Sequence, residues 1–176
     1  RSKTNQVFNQ VFEYLAEWVD KAGEQITTIS DKVETLDDIN QIKVMLEDLR
    51  AENPRPYIEA KPLYNMLILN EILKLFQNMG WKIIVTSWLA KNSTKEYDEK
   101  VREAKKRWLA ENGFPADEIH IVKYGTTKAD CTRKMGGYQI LVDDNETVRK
   151  GWKLGNTIDA NKNIIAELVA LLGAAN

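Results

Sequence analysis

Cysteine is nearly missing from this sequence. Of 176 residues only Cys131 is a cysteine, so no disulfide can form within the chain, which fits a reducing compartment. Histidine is equally scarce. His120 stands alone, without the Cys/His neighbours of a zinc site. No apolar run approaches the roughly 20 residues that a membrane span needs, and no signal peptide is visible. Charge of one sign is lacking too. Lys and Arg number 25 against 26 Asp and Glu, which gives no reason to expect nucleic acid or an anionic membrane as a partner. Internal repeats and low-complexity segments are absent. These absences point to a cytoplasmic chain of one domain with an appendage, long enough for its own core. It begins at Arg1 without a methionine, and so reads as a processed or partial chain.

What is present divides into two regions. Apolar residues fall at Phe12, Leu15, Val19, Ala22, Ile26, Ile29, Val33 and Leu36, with spacings that alternate three and four. That is a heptad seam, expected as a long amphipathic helix or a helical hairpin, with Gly23 as an interruption. After a phase shift, Ile39, Ile42, Leu46 and Leu49 form a second helical face. The pattern stops near Asn53-Pro54-Arg55-Pro56, since proline and the residue before it resist helix. The expected division is a helical segment over 1–45 and an α/β domain over 46–176.

From Tyr57 onward helices and strands are expected to alternate. Met66, Leu69, Ile72, Leu73, Phe76 and Met79 suit a helix ended by Gly80. Lys82 to Thr86 reads as a buried strand. Ser93 with Glu96 makes a capping box, and Tyr97, Val101, Ala104 and Trp108 share the face of the helix that follows. Ile119 to Tyr124 is a second strand, and His120 belongs to it. A short helix spans Ala129 to Lys134. An apolar run from Tyr138 ends at Asp143, and helices over Glu146–Leu154 and Asn161–Leu172 close the chain. Such alternation argues for a parallel sheet covered on both faces. In sheets of that kind ligands bind beyond the carboxyl ends of the strands.

Each expected strand ends in a different polar group. The first runs into Thr86-Ser87-Trp88, where a hydroxyl and free backbone N–H groups can hold a phosphate oxygen; an ordinary loop start would look the same. The second runs into Gly125-Thr126-Thr127-Lys128. Lys128 then falls in the first turn of a helix, where a cation opposes the helix dipole. A bound phosphate would compensate, although a solvated surface lysine is the plain alternative. The third delivers Asp143 and Asp144 side by side. Adjacent carboxylates repel, and each must be solvated, paired or metal-bound. A divalent cation resolves that conflict.

In this order, TSW, YGTTKAD and ILVDDN resemble motifs two, three and four of the haloacid dehalogenase (HAD) superfamily. Within it, the stretch from Leu46 to Leu172 is similar to the small 5'(3')-deoxyribonucleotidase-like proteins of bacteria and phages, including RPYIEAKPLY and the SWLAKNS loop. The resemblance implies a three-layer, Rossmann-like parallel sheet and a Mg2+-dependent phosphohydrolase acting on phosphate monoesters such as nucleoside monophosphates. It implies that Ser87 and Lys128 bind the phosphoryl group, with Lys128 also supporting catalysis. Asp143 and Asp144 would bind Mg2+, and Trp88, Tyr124 and the Lys91-Asn92-Ser93 loop would lie at the substrate rim. HAD phosphatases attack phosphate with an aspartate, and a second aspartate two positions later serves as general acid and base.

That first motif, Asp-x-Asp, does not occur in this chain. The nearest segment is Ile29 to Leu36, in which Asp31 takes the nucleophile's place and Thr35 matches a threonine common in the motif. Val33 stands where the acid and base would be, Glu34 replaces the usual glycine, and the segment lies within the heptad seam. Either a different amino-terminal element has displaced the catalytic strand, or Asp31 serves despite its surroundings. An alternative of another class is a non-catalytic interaction protein whose seam pairs with a partner helix or with a second copy. The segment can also pack back onto the sheet in place of the strand.

Overall fold

The computed structural model describes residues 36–174. Asp31 and the heptad seam from Phe12 to Val33 lie outside the described residues. In chain order the elements are α1 (Leu36–Arg50), α2 (Arg55–Glu59), α3 (Met66–Asn78), β1 (Ile84–Trp88), α4 (Lys95–Glu111), β2 (Glu118–Val122), α5 (Lys128–Thr132), a 3-10 turn (Arg133–Met135), β3 (Leu141–Asp143), α6 (Glu146–Gly151), β4 (Thr157–Asp159) and α7 (Ile164–Ala174). The chain is a mixed α/β protein.

The described residues fall into two compact units. The first holds 36–63, Trp88–Phe114 and Ile121–Tyr124, and the second Tyr64–Ser87, Pro115–His120 and 125–174. Helix α1 runs unbroken through residues 45 and 46.

In the first unit, α4 turns Tyr97, Val101 and Ala104 inward at spacings of four and three, the rhythm of one helix face. Val101 and Met45 of α1 are its most completely buried side chains. The proline-rich stretch after α1 is not simply a stop, because α2 begins there with Pro56 in its first turn, where a missing N–H costs nothing. The indole N–H of Trp108 donates to the Ala60 carbonyl at 2.5 Å and closes α2 onto α4. The cap of α4 is Thr94, whose hydroxyl accepts from the Tyr97 N–H at 3.2 Å, one residue later than expected. Ser93 is engaged elsewhere, donating to the Ala90 carbonyl and the Asp98 carboxylate.

In the second unit, α3 buries Leu69, Ile72, Leu73 and Phe76 and is capped by Asn65. It packs against α7, which buries Ile164 and Leu168. Strands β3 and β4 pair in parallel, with Leu141 opposite Thr157, Val142 opposite Ile158 and Asp143 opposite Asp159. Gly155 lies against this pair so closely that a Cβ would come within 2.1 Å of the Gln139 carbonyl oxygen, and no other residue fits there.

Strands β1 and β2 form the other pair. Asp117 N–H donates to the Ile83 carbonyl and Leu89 N–H to the Val122 carbonyl, a sense that makes this pair parallel as well. Among the described residues the strands therefore form two sheets of two strands each. Two expectations of burial are corrected here. β1 is half-buried along its whole length, and Val142 in β3 is 39% exposed. A strand paired on one side only leaves an edge and part of a face open.

Candidate functional site at the strand ends

Lys128 and Asp143 are brought into direct contact. Helix α5 begins at Lys128 after the turn at Gly125, whose φ of +81° suits glycine. Thr127 takes the cap position but makes no side-chain cap bond. From there the Lys128 ammonium donates to Asp143 Oδ2. The lysine side chain is 15% exposed and that of Asp143 4%. Shielding from water strengthens such a pair, and the carboxylate supplies counter-charge to a cation at a helix start.

The other oxygen, Asp143 Oδ1, accepts from the Asn145 N–H at 2.9 Å. Asn145, rather than either aspartate, then caps α6 by accepting from the Val148 N–H at 3.1 Å. Asp144 follows in a half-buried position. Burial pushes its carboxyl above the usual carboxylate range, and the backbone N–H groups and Arg149 only partly oppose this.

Arg149 and Asp159 complete the strand ends, and neither stood out in the sequence. Arg149 reaches back from α6 to donate to the Asp143 main-chain carbonyl at 2.8 Å and lies 3.3 Å from Asp159 Oδ1. Asp159, in register with Asp143, also accepts from the Asn161 N–H at 2.9 Å and side-chain amide at 3.0 Å. These bonds, that from the Asn161 N–H foremost, hold its carboxyl below the usual range. The Asn161 amide donates as well to the Asp144 carbonyl at 2.9 Å. A signal for Arg149 was available in its spacing from Asp143, since a short helix capped at Asn145 carries the fourth residue after that cap back over the strand end.

Ser87 is the fourth residue of β1 and half-buried. It belongs to the same unit as Lys128, Asp143 and Asp144. Trp88 and Tyr124 belong to the other unit, where their rings meet edge to face at 5.1 Å between centroids, with Lys91 Nζ 5.6 Å from the Tyr124 ring centre. His120 is a strand residue whose Nε2 lies 3.0 Å from Glu118 Oε2. Burial pushes the Cys131 thiol up, away from the reactive thiolate.

Among the described residues no three His, Cys, Asp or Glu side chains are grouped to hold a metal ion. Two carboxylates suffice for Mg2+, which keeps several waters and takes further oxygens from a bound phosphate. Asp143 and Asp144 are the residues that could hold such an ion, and burial leaves the Asp144 carboxyl raised. Among the described residues no helix is long and apolar enough to cross a membrane. No protein-family model, curated protein or solved structure matches the chain.

Proposed function

We propose that the chain is a nucleotidase-like phosphohydrolase of the HAD type, acting with Mg2+ on phosphate monoesters such as nucleoside monophosphates. The observation that carries this reading is the shielded contact of Lys128 with Asp143, beside the half-buried Asp144. A phosphate-binding cation and a cation-binding acid pair are thereby joined at the carboxyl ends of parallel strands. The three-layer sheet belongs to the same proposal, for which the parallel pairs β1–β2 and β3–β4 supply the material. The division at residues 45 and 46 belongs to it too, with α1 running across the boundary.

In this reading Lys128 holds the phosphoryl oxygens, Ser87 adds a hydroxyl donor, and Asp143 and Asp144 hold the ion. Bound there, Mg2+ would neutralise charge on the transferring group and align it. Asp31 is the candidate nucleophile. Val33 cannot exchange a proton, so the rate should fall by the roughly 10²- to 10⁴-fold that a positioned acid or base typically contributes.

The test is phosphate release from nucleoside monophosphates in Mg2+ and in EDTA. The expected result is slow, Mg2+-dependent release that Asp143→Asn abolishes. No release above background, or a rate that ignores both EDTA and Asp143→Asn, would overturn the proposal. Asp31→Asn separates the two readings of the amino-terminal segment, since it removes the rate only where Asp31 is the nucleophile.

A further inference from the structure

We propose that the outer face of α3 binds the same face of a second copy of this chain, the two helices running antiparallel. Helix α3 buries one side and leaves Leu67 80% exposed on the other, with Ile68, Leu75 and its cap residue Met79 between 42% and 51% exposed. Single exposed apolar residues are ordinary. A charge-poor group of them on one helix marks an interaction surface. Helix α7, which packs against α3, also turns Ala166, Val169 and Ala170 outward. Across the two helices only Glu71, Lys74 and Glu167 are charged. In α4 of the first unit, by contrast, every exposed residue except Ala110 is charged, which is how a helix face for water is built.

The outer face of α3 is its own complement. Ile68 and Leu75 lie about two turns apart, with Glu71 and Lys74 between them. The midpoints of these two pairs differ by one residue, about 1.5 Å along the axis. A two-fold axis there sets Ile68 against Leu75 of the second copy and Glu71 against Lys74 of the second copy, each contact made twice. A parallel pairing would instead set Glu71 beside Glu71 and Lys74 beside Lys74, and like charges facing one another are penalised. Glu71 and Lys74 pair within the helix at 3.0 Å and are 72% and 52% exposed, so both can be shared with a second copy. Helices of 13 and 11 residues with one side each turned outward fall short of the roughly 20–30 residues a side of a standard interface. The dimer is therefore weak, with a dissociation constant of about 10–100 µM, and the dilute chain is monomeric.

The test is sedimentation equilibrium of the full chain, from tenfold below that range to tenfold above it. The expected result is a reversible monomer–dimer equilibrium that closes at two. Ile68→Glu with Leu75→Glu should abolish the dimer at every concentration. Glu71→Lys alone should weaken it about tenfold, since two attractive pairs become repulsive, and adding Lys74→Glu should restore it. Should the Ile68 and Leu75 variant lose its helical circular dichroism, the charge variants decide alone, because they exchange only exposed residues. A monomer throughout, or association that grows without closing, overturns the proposal. So does a dimer that survives Ile68→Glu with Leu75→Glu, or a charge reversal that has no effect or is not rescued. A dimer lost instead in Ile26→Asp with Ile29→Asp belongs to the heptad seam and also overturns it.

Discussion

Asp48 and Asp143 are both buried acids held by a basic partner, and they are built differently. Asp48, at the end of α1, is gripped by Arg55 through three hydrogen bonds, Nε to Oδ2 at 3.0 Å and Nη2 to Oδ1 and Oδ2 at 3.1 and 2.8 Å. The Asn53 amide adds a longer contact at 3.4 Å, and the Asn53 N–H binds the Asp48 carbonyl. The fork uses both oxygens and folds the chain through the corner between α1 and α2. Asp143 has one point-charge partner from a distant element and one backbone donor. The first arrangement saturates its acid and serves the turn. The second holds its acid through one ammonium and one backbone N–H. A buried ion pair is therefore no mark of a binding site by itself.

The largest expected effect breaks the comparison directly. Arg55 is 45% exposed and returns to water when Asp48 is lost, whereas Lys128 is 15% exposed and stays largely shielded. Asp143→Ala should therefore cost about 3–5 kcal/mol, as removal of one partner from a buried pair does, and Asp48→Ala distinctly less. Urea denaturation of both variants measures this, and equal losses would erase the distinction.

A smaller effect sharpens it within the strand ends themselves. Asp144 is raised in the folded chain by burial, while Asp159 is lowered by its bonds from Asn161. A raised carboxyl keeps its proton longer when folded, so Asp144 weakens the fold as pH rises through the carboxylate range, and below that range the penalty is gone. Asp159 contributes stability present above its unfolded value and lost as pH falls through its folded value. In EDTA, Asp144→Asn should stabilise at neutral pH and Asp159→Asn should destabilise, with both differences vanishing in acid. Thermal melts from neutral to acid pH check the two opposite slopes.

The smallest effect sets the baseline. Glu71 and Lys74 pair at 3.0 Å on the exposed side of α3. Glu71→Gln should change stability by at most about 0.5 kcal/mol, read in the same urea titration.

Long amphipathic elements were legible in the sequence. The inward faces of α3 and α4 follow from their apolar spacing, and the short helix starting near Lys128 follows from the Gly-Thr-Thr turn. The polar groups at strand ends could be read because an acid pair after an apolar run conflicts with burial. What escaped was short or relational. β4 spans three residues with a single apolar one, Ile158, between Thr157 and Asp159, too little for a period of two to register. Thr94 and Ser93 are equally good caps by composition, and the choice was made by the Ala90 carbonyl and Asp98 holding Ser93. The contact of Arg149 with the Asp143 carbonyl depends on where a six-residue helix aims its last turn.

Arg149 grips the main chain of Asp143 and not its carboxylate. The backbone at the tip of β3 is thus anchored independently of the side chain it carries. Exchanging residue 143 alters the electrical character of this corner and releases the Asn145 N–H, while the Arg149 clamp on the main chain remains.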